Sequence, residues 1–188
     1  SQEALADCVE ESERVITMLN TLMDISEVET GAMRLNLKRV DLAELAGQLT
    51  EFYAEAAEDQ GVKIAMVETE PCEVVADENR LRQAVANLLD NAVKYTPQGG
   101  RVEVSVKRAG VEACLRVRDT GIGIAGSELP HIWERLYRAD KSRSQRGLGL
   151  GLSLVQAIAH AHGGECTVTS EPGKGSEFAM RIPINGGP

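Results

Sequence analysis

Two glycine-rich turns flank a basic stretch in the second half of the chain. The first reads Asp119-Thr-Gly121-Ile-Gly123 and follows an apolar run, Val111–Val117. The second reads Gly147-Leu148-Gly149-Leu150-Gly151 and opens an amphipathic pattern. Between them, Arg138–Arg146 carries Lys141, Arg143 and Arg146 and no apolar run. Glycine lets a backbone come close to a ligand. A helix start presents free N–H groups to anionic oxygens, and a segment between two turns can close over what is bound. A nucleotide needs all three. Each piece alone is weak. Gly-x-Gly-x-Gly also opens helices that bind nothing, it is not the dinucleotide fingerprint, and no P-loop Gly-Lys-Ser/Thr follows it. The order of acid–Gly–x–Gly, basic stretch and second glycine cluster is more specific.

A helix predicted over about Glu78–Tyr95 adds to this reading. At about 100° per residue, Leu81, Val85, Leu88, Leu89 and Ala92 gather on one side, and Arg80, Gln83, Asn87, Asn91 and Lys94 on the other. Such a polar side is either solvated surface or a ligand face. Asn is a poor helix former, so two of them at i and i+4, with a Lys one turn on, is an unusual choice for plain surface. Two carboxamide oxygens and an ammonium suit a hydrated Mg²⁺ and the phosphates it bridges.

The elements that must position these groups follow from periodicity. Residues 3–29 contain no Pro or Gly. Leu5, Cys8, Val15, Leu19 and Leu22 recur at helical steps, with Val9, Ile16 and Met23 widening the stripe. This is a long helix, either packed on its own domain or, as we favour, half of an antiparallel hairpin that dimerises into a four-helix bundle. Gly31 should end it. Met33–Asp41 reads as a strand. Asp41 with Glu44 forms a capping box for a helix to about Asp59, buried through Leu42, Leu45, Leu49, Phe52, Ala56 and Ala57. Val62–Val67 and Val74–Ala76 read as strands, and Arg101–Lys107 with Val111–Val117 as a hairpin. Glu128–Tyr137 reads as a helix whose Trp133 is either core or the base of the basic stretch. Leu150–Ala161 is a further helix, and Glu165–Thr169 and Glu177–Ile184 are strands around the turn Pro172–Gly175. Hairpins among helices that do not alternate strictly predict an α+β, two-layer sandwich with a mixed sheet, preceded by a long helix.

Composition bounds the function. With 43% hydrophobic but only 3% aromatic residues, the core must be aliphatic. The formal charge of −9 over 188 residues argues against nucleic-acid binding driven by counterion release. Cys8, Cys72, Cys114 and Cys166 are scattered and read as buried free thiols of a reducing compartment. There is no signal-peptide pattern and no apolar run long enough to span a bilayer. The chain opens inside a helical pattern and reads as a piece of something larger.

The motifs together resemble the catalytic domain of sensor histidine kinases of two-component systems. Asn87-Leu-Leu-Asp-Asn91-Ala-Val-Lys94-Tyr95-Thr resembles the N box and Asp119-Thr-Gly121-Ile-Gly123 the G1 box. Ile132-Trp133-Glu134-Arg135-Leu136-Tyr137-Arg138 resembles the F box, with Trp133 and Leu136 where Phe is usual. Gly147-Leu-Gly149-Leu-Gly151 resembles the G2 box, and Gly173-Lys-Gly175-Ser176 the late Gly-x-Gly-Thr turn, with Ser for Thr. The resemblance implies a Bergerat ATP-binding fold over residues 32–188, and in residues 1–31 the second helix of a dimerisation hairpin, truncated here. It implies ATP or ADP and Mg²⁺ as ligands. Asp119 would bond the adenine amino group, supported through water by Ser176. Asn87 and Asn91 would hold the metal, Lys94 would contact phosphate, and Tyr95 would pack near the nucleotide. Gly121, Gly123, Gly147, Leu148, Gly149, Leu150 and Gly151 would line the phosphates and base, and Arg138 would be the lid cation with the best positional match. Asn87, Lys94 and Arg138 would be the catalytic set.

The resemblance further implies a homodimer through the helical hairpin, a response regulator receiver domain as partner, no nucleic acid, and a cytoplasmic location, as in the cytoplasmic portion of an inner-membrane sensor. No phosphoacceptor motif is present. His131, His160 and His162 fall outside the expected place and read as surface or capping residues, and no general base neighbours the site. The histidine phosphorylated would therefore lie outside this chain. Asn87 stands where hydrolytic ATPases of the same fold carry Glu, which argues against hydrolysis. The alternative is a degenerate module of the same fold that dimerises and binds partners without catalysis.

Overall fold

The computed structural model describes residues 2–137 and 149–186. Helix α1 (Gln2–Glu29) ends where expected. Gly31 takes a left-handed φ of 69°, and Ala32 N–H turns back to the Glu27 carbonyl at 2.7 Å, as a helix stop needs. The helix uses two faces. Met18, Leu22, Ile25 and Val28 pack on the core, while Leu5, Val9, Ile16, Leu19 and Met23 are each more than half exposed. The helix therefore docks on its own domain and still leaves most of the predicted stripe free.

Strand β1 (Lys38–Asp41) pairs antiparallel with β3 (Glu73–Ala76) as a small ribbon. The strand expected from Met33 starts only at Lys38, because Asn36 N–H bonds the Asp77 carboxylate at 2.9 Å instead of a ladder partner. Asp41 caps α2 (Leu42–Asp59), accepting from Ala43 and Glu44 N–H. Its buried face is Leu42, Leu45, Ala46, Thr50 and Ala57. Phe52 is 77% exposed, against expectation, because its position lies about 100° from the centre of that face; Ala56 is exposed too.

The main sheet runs β2 (Lys63–Met66), β4 (Arg101–Ala109), β5 (Glu112–Asp119), β7 (Gly175–Pro183), β6 (Glu165–Glu171). The β2–β4 pair is parallel and the others antiparallel, giving the mixed sheet foreseen. Helices α2, α3 (Glu78–Tyr95) and α4 (Gly151–Ala161) cover the sheet. In β4, Val102, Val104 and Val106 point inward and the intervening residues do not, the alternation of a sheet with one packed face. α3 buries Leu81, Val85, Leu88, Leu89 and Ala92, all five of its predicted core positions. Each such aliphatic side chain is worth about 1.5–3 kcal/mol of transfer free energy.

Glu128–Tyr137 is a chain of turns where a helix was expected. Its bonds run three residues back, as from His131 N–H to Glu128 O and from Glu134 N–H to His131 O. Pro130 has no N–H to give, and Leu136 sits at a left-handed φ of 61°. Trp133 packs edge-on against Phe178, with ring centroids 6.0 Å apart. All four cysteines are free; Cys72 and Cys114 are buried, whereas Cys8 is exposed. Burial pushes the Cys166 thiol up to about 12, so it stays protonated and inert.

Candidate functional site: a nucleotide-sized cavity

Asp119 ends β5 directly opposite Ser176 at the start of β7. It is 6% exposed. One oxygen, Oδ1, accepts from Gly121 N–H at 2.8 Å and from Ser176 N–H at 3.2 Å. Both bonds favour the carboxylate, but burial outweighs them and raises its pKa above the ordinary value. Among the described residues the other oxygen has no hydrogen-bond partner, and Asp119 and Ser176 line a cavity of about 480 Å³.

The turn after Asp119 is clamped from both sides. Ile122 N–H donates to Tyr95 O at 3.1 Å, and Gly173 N–H to Ile122 O at 2.8 Å. Gly123 has φ 68°, and a Cβ there would fall 2.1 Å from Glu171 O. Gly123 lines the cavity, as the sequence reading expected of a site glycine. Its backbone also approaches the β6–β7 turn closely, which holds the loop in place.

The polar face of α3 lines the same cavity. Asn87, Asn91, Lys94 and Tyr95 all line the cavity, and Lys94 Nζ lies 5.1 Å from the Tyr95 ring centroid, within cation–π range. Among the described residues neither Asn carboxamide has a hydrogen-bond partner. Two amide oxygens one helix turn apart fit a hard divalent cation that phosphates also bridge. Arg80 leaves this set and pairs with Asp24 of α1 at 2.7 Å.

α4 begins beside Asn87. A Cβ on Gly151 would lie 3.7 Å from Asn87 Oδ1. Its N-cap, Leu150, makes no side-chain cap bond, so among the described residues no side chain caps the first-turn N–H groups, which suit an anion. Leu136 N–H donates to Gly149 O at 2.9 Å, tying together the two flanks of residues 138–148. Gly149 has φ 71°, with Tyr137 O 2.7 Å from where a Cβ would sit. Arg138, Lys141, Arg143, Arg146, Gly147 and Leu148 lie outside the described residues.

Sequence reasoning missed one wall of the cavity. Glu10, Arg14, Thr17 and Thr21 of α1 line it, a helical stripe that was readable but went unread. The Asp24–Arg80 pair fixes the register. Thr17 of α1 and Asn87 of α3 both line the cavity. Glu10, Asp90 and Glu128 bring three carboxylates to a cavity read from sequence as lacking a neighbouring base. Also missed were Ile122, Ile124, Ile132 and Phe178, which make its apolar lining.

His162 was read as a surface or capping residue. It is the C-cap of α4 but is only 3% exposed. Its Nδ1 donates to Ile158 O at 2.7 Å, and its Nε2 accepts from Asp77 N–H at 3.0 Å. Burial lowers its pKa, consistent with a neutral ring spanning two helices. Asp77 itself caps α3 through Arg80 N–H at 3.1 Å, so one junction ties together α3 and α4, two of the helices that face the cavity.

A sequence profile of the histidine kinase-, DNA gyrase B- and HSP90-like ATPases matches residues 76–186. The sensor-like histidine kinase SenX3 of Mycolicibacterium smegmatis is 36% identical over 93% of this chain and 46% of its own length. The sensor histidine kinase CusS of Escherichia coli is 33% identical over 97% of this chain and 38% of its own. The chain thus spans under half the length of these relatives. Among solved structures, full-length ShkA in complex with AMPPNP superposes with a TM-score of 0.83 at 30% identity, over 95% of this chain and 37% of that one. The mycobacterial sensor histidine kinase MprB gives 0.71 at 31% identity, over 80% of this chain and 100% of that one. With its mixed sheet, its buried acid and its Asn-bearing helix, the chain belongs to the histidine kinase-, DNA gyrase B- and HSP90-like ATPase family, in its sensor histidine kinase branch.

Proposed function

We propose that this chain is the ATP-binding catalytic part of a sensor histidine kinase. It holds Mg·ATP and presents the γ-phosphate to a histidine outside the chain, for relay to an aspartate of a response regulator. The observation that carries this reading is one cavity lined both by a buried carboxylate, Asp119, and by the Asn87–Asn91–Lys94 stripe. Asp119 offers an acceptor to an exocyclic amino group. Asn87 and Asn91 would hold Mg²⁺, which neutralises phosphate charge when bound. Lys94 and the first N–H groups of α4 would hold phosphate oxygens, and Tyr95 would pack beside the nucleotide. Catalysis by these residues is positioning and charge stabilisation.

Residues 1–31 would be one helix of a dimerisation hairpin and residues 32–188 the catalytic domain. The setting would be the cytoplasmic side of an inner membrane. Among the described residues no helix is long and apolar enough to cross a membrane.

Calorimetry with ATP and GTP, each with and without Mg²⁺, tests the reading. Binding in the range of about 1 µM to 1 mM that prefers adenine and needs Mg²⁺ is the expected result. No binding of either nucleotide would leave the degenerate, partner-binding module as the better account.

A further inference from the structure

Ser170 of β6 lies opposite Ser176 in the β6–β7 register and behind it, off the cavity wall. Its hydroxyl oxygen accepts from Ile124 N–H at 2.8 Å and donates to Gly175 O at 2.9 Å. The Ser176 hydroxyl is 2.8 Å away. A serine has one hydroxyl proton, and a carbonyl can only accept. With the Ser170 proton committed to Gly175 O, the contact between the two hydroxyls requires Ser176 to be the donor. Ser176 is 8% exposed and lines the cavity, so it meets the ligand with lone pairs only. Asp119 beside it is also an acceptor.

We propose that Ser170 is a positioning residue for base selection. It fixes the proton of Ser176 away from the cavity, so that this corner accepts and never donates. A 6-amino purine, which donates there directly or through an intervening water, is selected. A 6-oxo purine meets two acceptors and is rejected, because a buried acceptor left facing another acceptor loses its bond. The inference rests on the adenine site proposed above and names what sets its selectivity. A structural prop for Ile124 alone would affect all purines alike; a fixed proton direction affects only the ratio between them.

The test measures binding of ATP and inosine triphosphate, which differ in the group on C6 and in the proton on N1, to the wild-type chain, Ser170→Ala, Ser170→Thr, Ser176→Ala and the Ser170→Ala/Ser176→Ala double variant. In Ser170→Ala the Ser176 hydroxyl is free to turn and donate. The ATP-over-inosine preference is expected to fall on the order of tenfold, the size of one hydrogen bond. Ser170→Thr keeps a hydroxyl and should keep the preference. In the Ser176→Ala background, Ser170→Ala should no longer change the ratio. Wild-type binding without any preference would remove the adenine site and this role with it. A preference that survives Ser170→Ala while both affinities fall together, or a Ser170 effect that persists without Ser176, would overturn the role of Ser170 alone.

Discussion

Asp119 is a carboxyl group buried where charge is disfavoured. Burial raises its pKa, so its stabilising contribution is full below the unfolded carboxylate value and is lost as pH rises through the folded value. Above the folded value the ligand-free fold carries the cost of a desolvated charge, which a hydrogen-bond donor from a bound nucleotide would offset. Asp119→Asn should raise the melting temperature of the ligand-free chain and weaken adenine nucleotide binding by about tenfold to a hundredfold, the range for a bond to a charged group. The amide can keep Oδ1 on Gly121 and Ser176 N–H, but it turns an NH₂ toward a donor. Differential scanning calorimetry and titration read the two effects separately; lower stability together with unchanged affinity would refute the assignment. On the α3 side of the cavity, Asn91→Ala should weaken Mg·ATP more than metal-free ADP. Equal losses measured by calorimetry would mean that Asn91 does not serve the metal.

At the level of elements, the junction of Asp77 and His162 predicts a pH response. A His whose folded pKa is lowered leaves stability intact above about 6.5 and loses it as pH falls through the folded value, because the unfolded chain takes the proton first. Urea melts should show the wild type losing stability from pH 7.5 toward 5.5. His162→Leu should be weaker at neutral pH by about 1–3 kcal/mol for the orphaned groups, yet lack that acid-side slope. An unchanged slope would mean that other groups govern it. The core of α3 was legible in the sequence because its apolar period is strong and Asp77 precedes it. The Asp119 turn and the Asn stripe were legible because spacing alone sets their faces. The burial of His162 was not, since it depends on two helix ends meeting across 85 residues. The turns at 128–137 misled because Ile132, Trp133 and Leu136 mimic helical spacing while Pro130 withholds a donor. The polar stripe Glu10–Arg14–Thr17–Thr21 of α1 was readable from its spacing, but that it faces the cavity depends on how α1 docks on the domain, which spacing does not give.

For the whole molecule, α1 divides its labour between two faces, and each can be altered alone. Asp24–Arg80, Met18, Leu22 and Ile25 hold it to the domain. Leu5, Val9, Ile16, Leu19 and Met23 face outward, each more than half exposed. A contiguous apolar stripe of this kind marks an interaction surface more often than idle surface. A second copy of the chain is the occupant that a four-helix arrangement would supply, and the chain's net charge of −9 resists association elsewhere on the surface. Sedimentation velocity over a concentration series should show wild-type self-association, and Ile16→Glu/Leu19→Glu should remain monomeric. Because the cavity lies on the opposite face, through Arg14, Thr17 and Thr21, the charged variant should bind ATP as the wild type does. A wild type that stays monomeric at every concentration would refute dimerisation through this stripe. A variant that loses ATP together with self-association would show that the two faces are not independent, and that the seat of α1 on the domain depends on its partner.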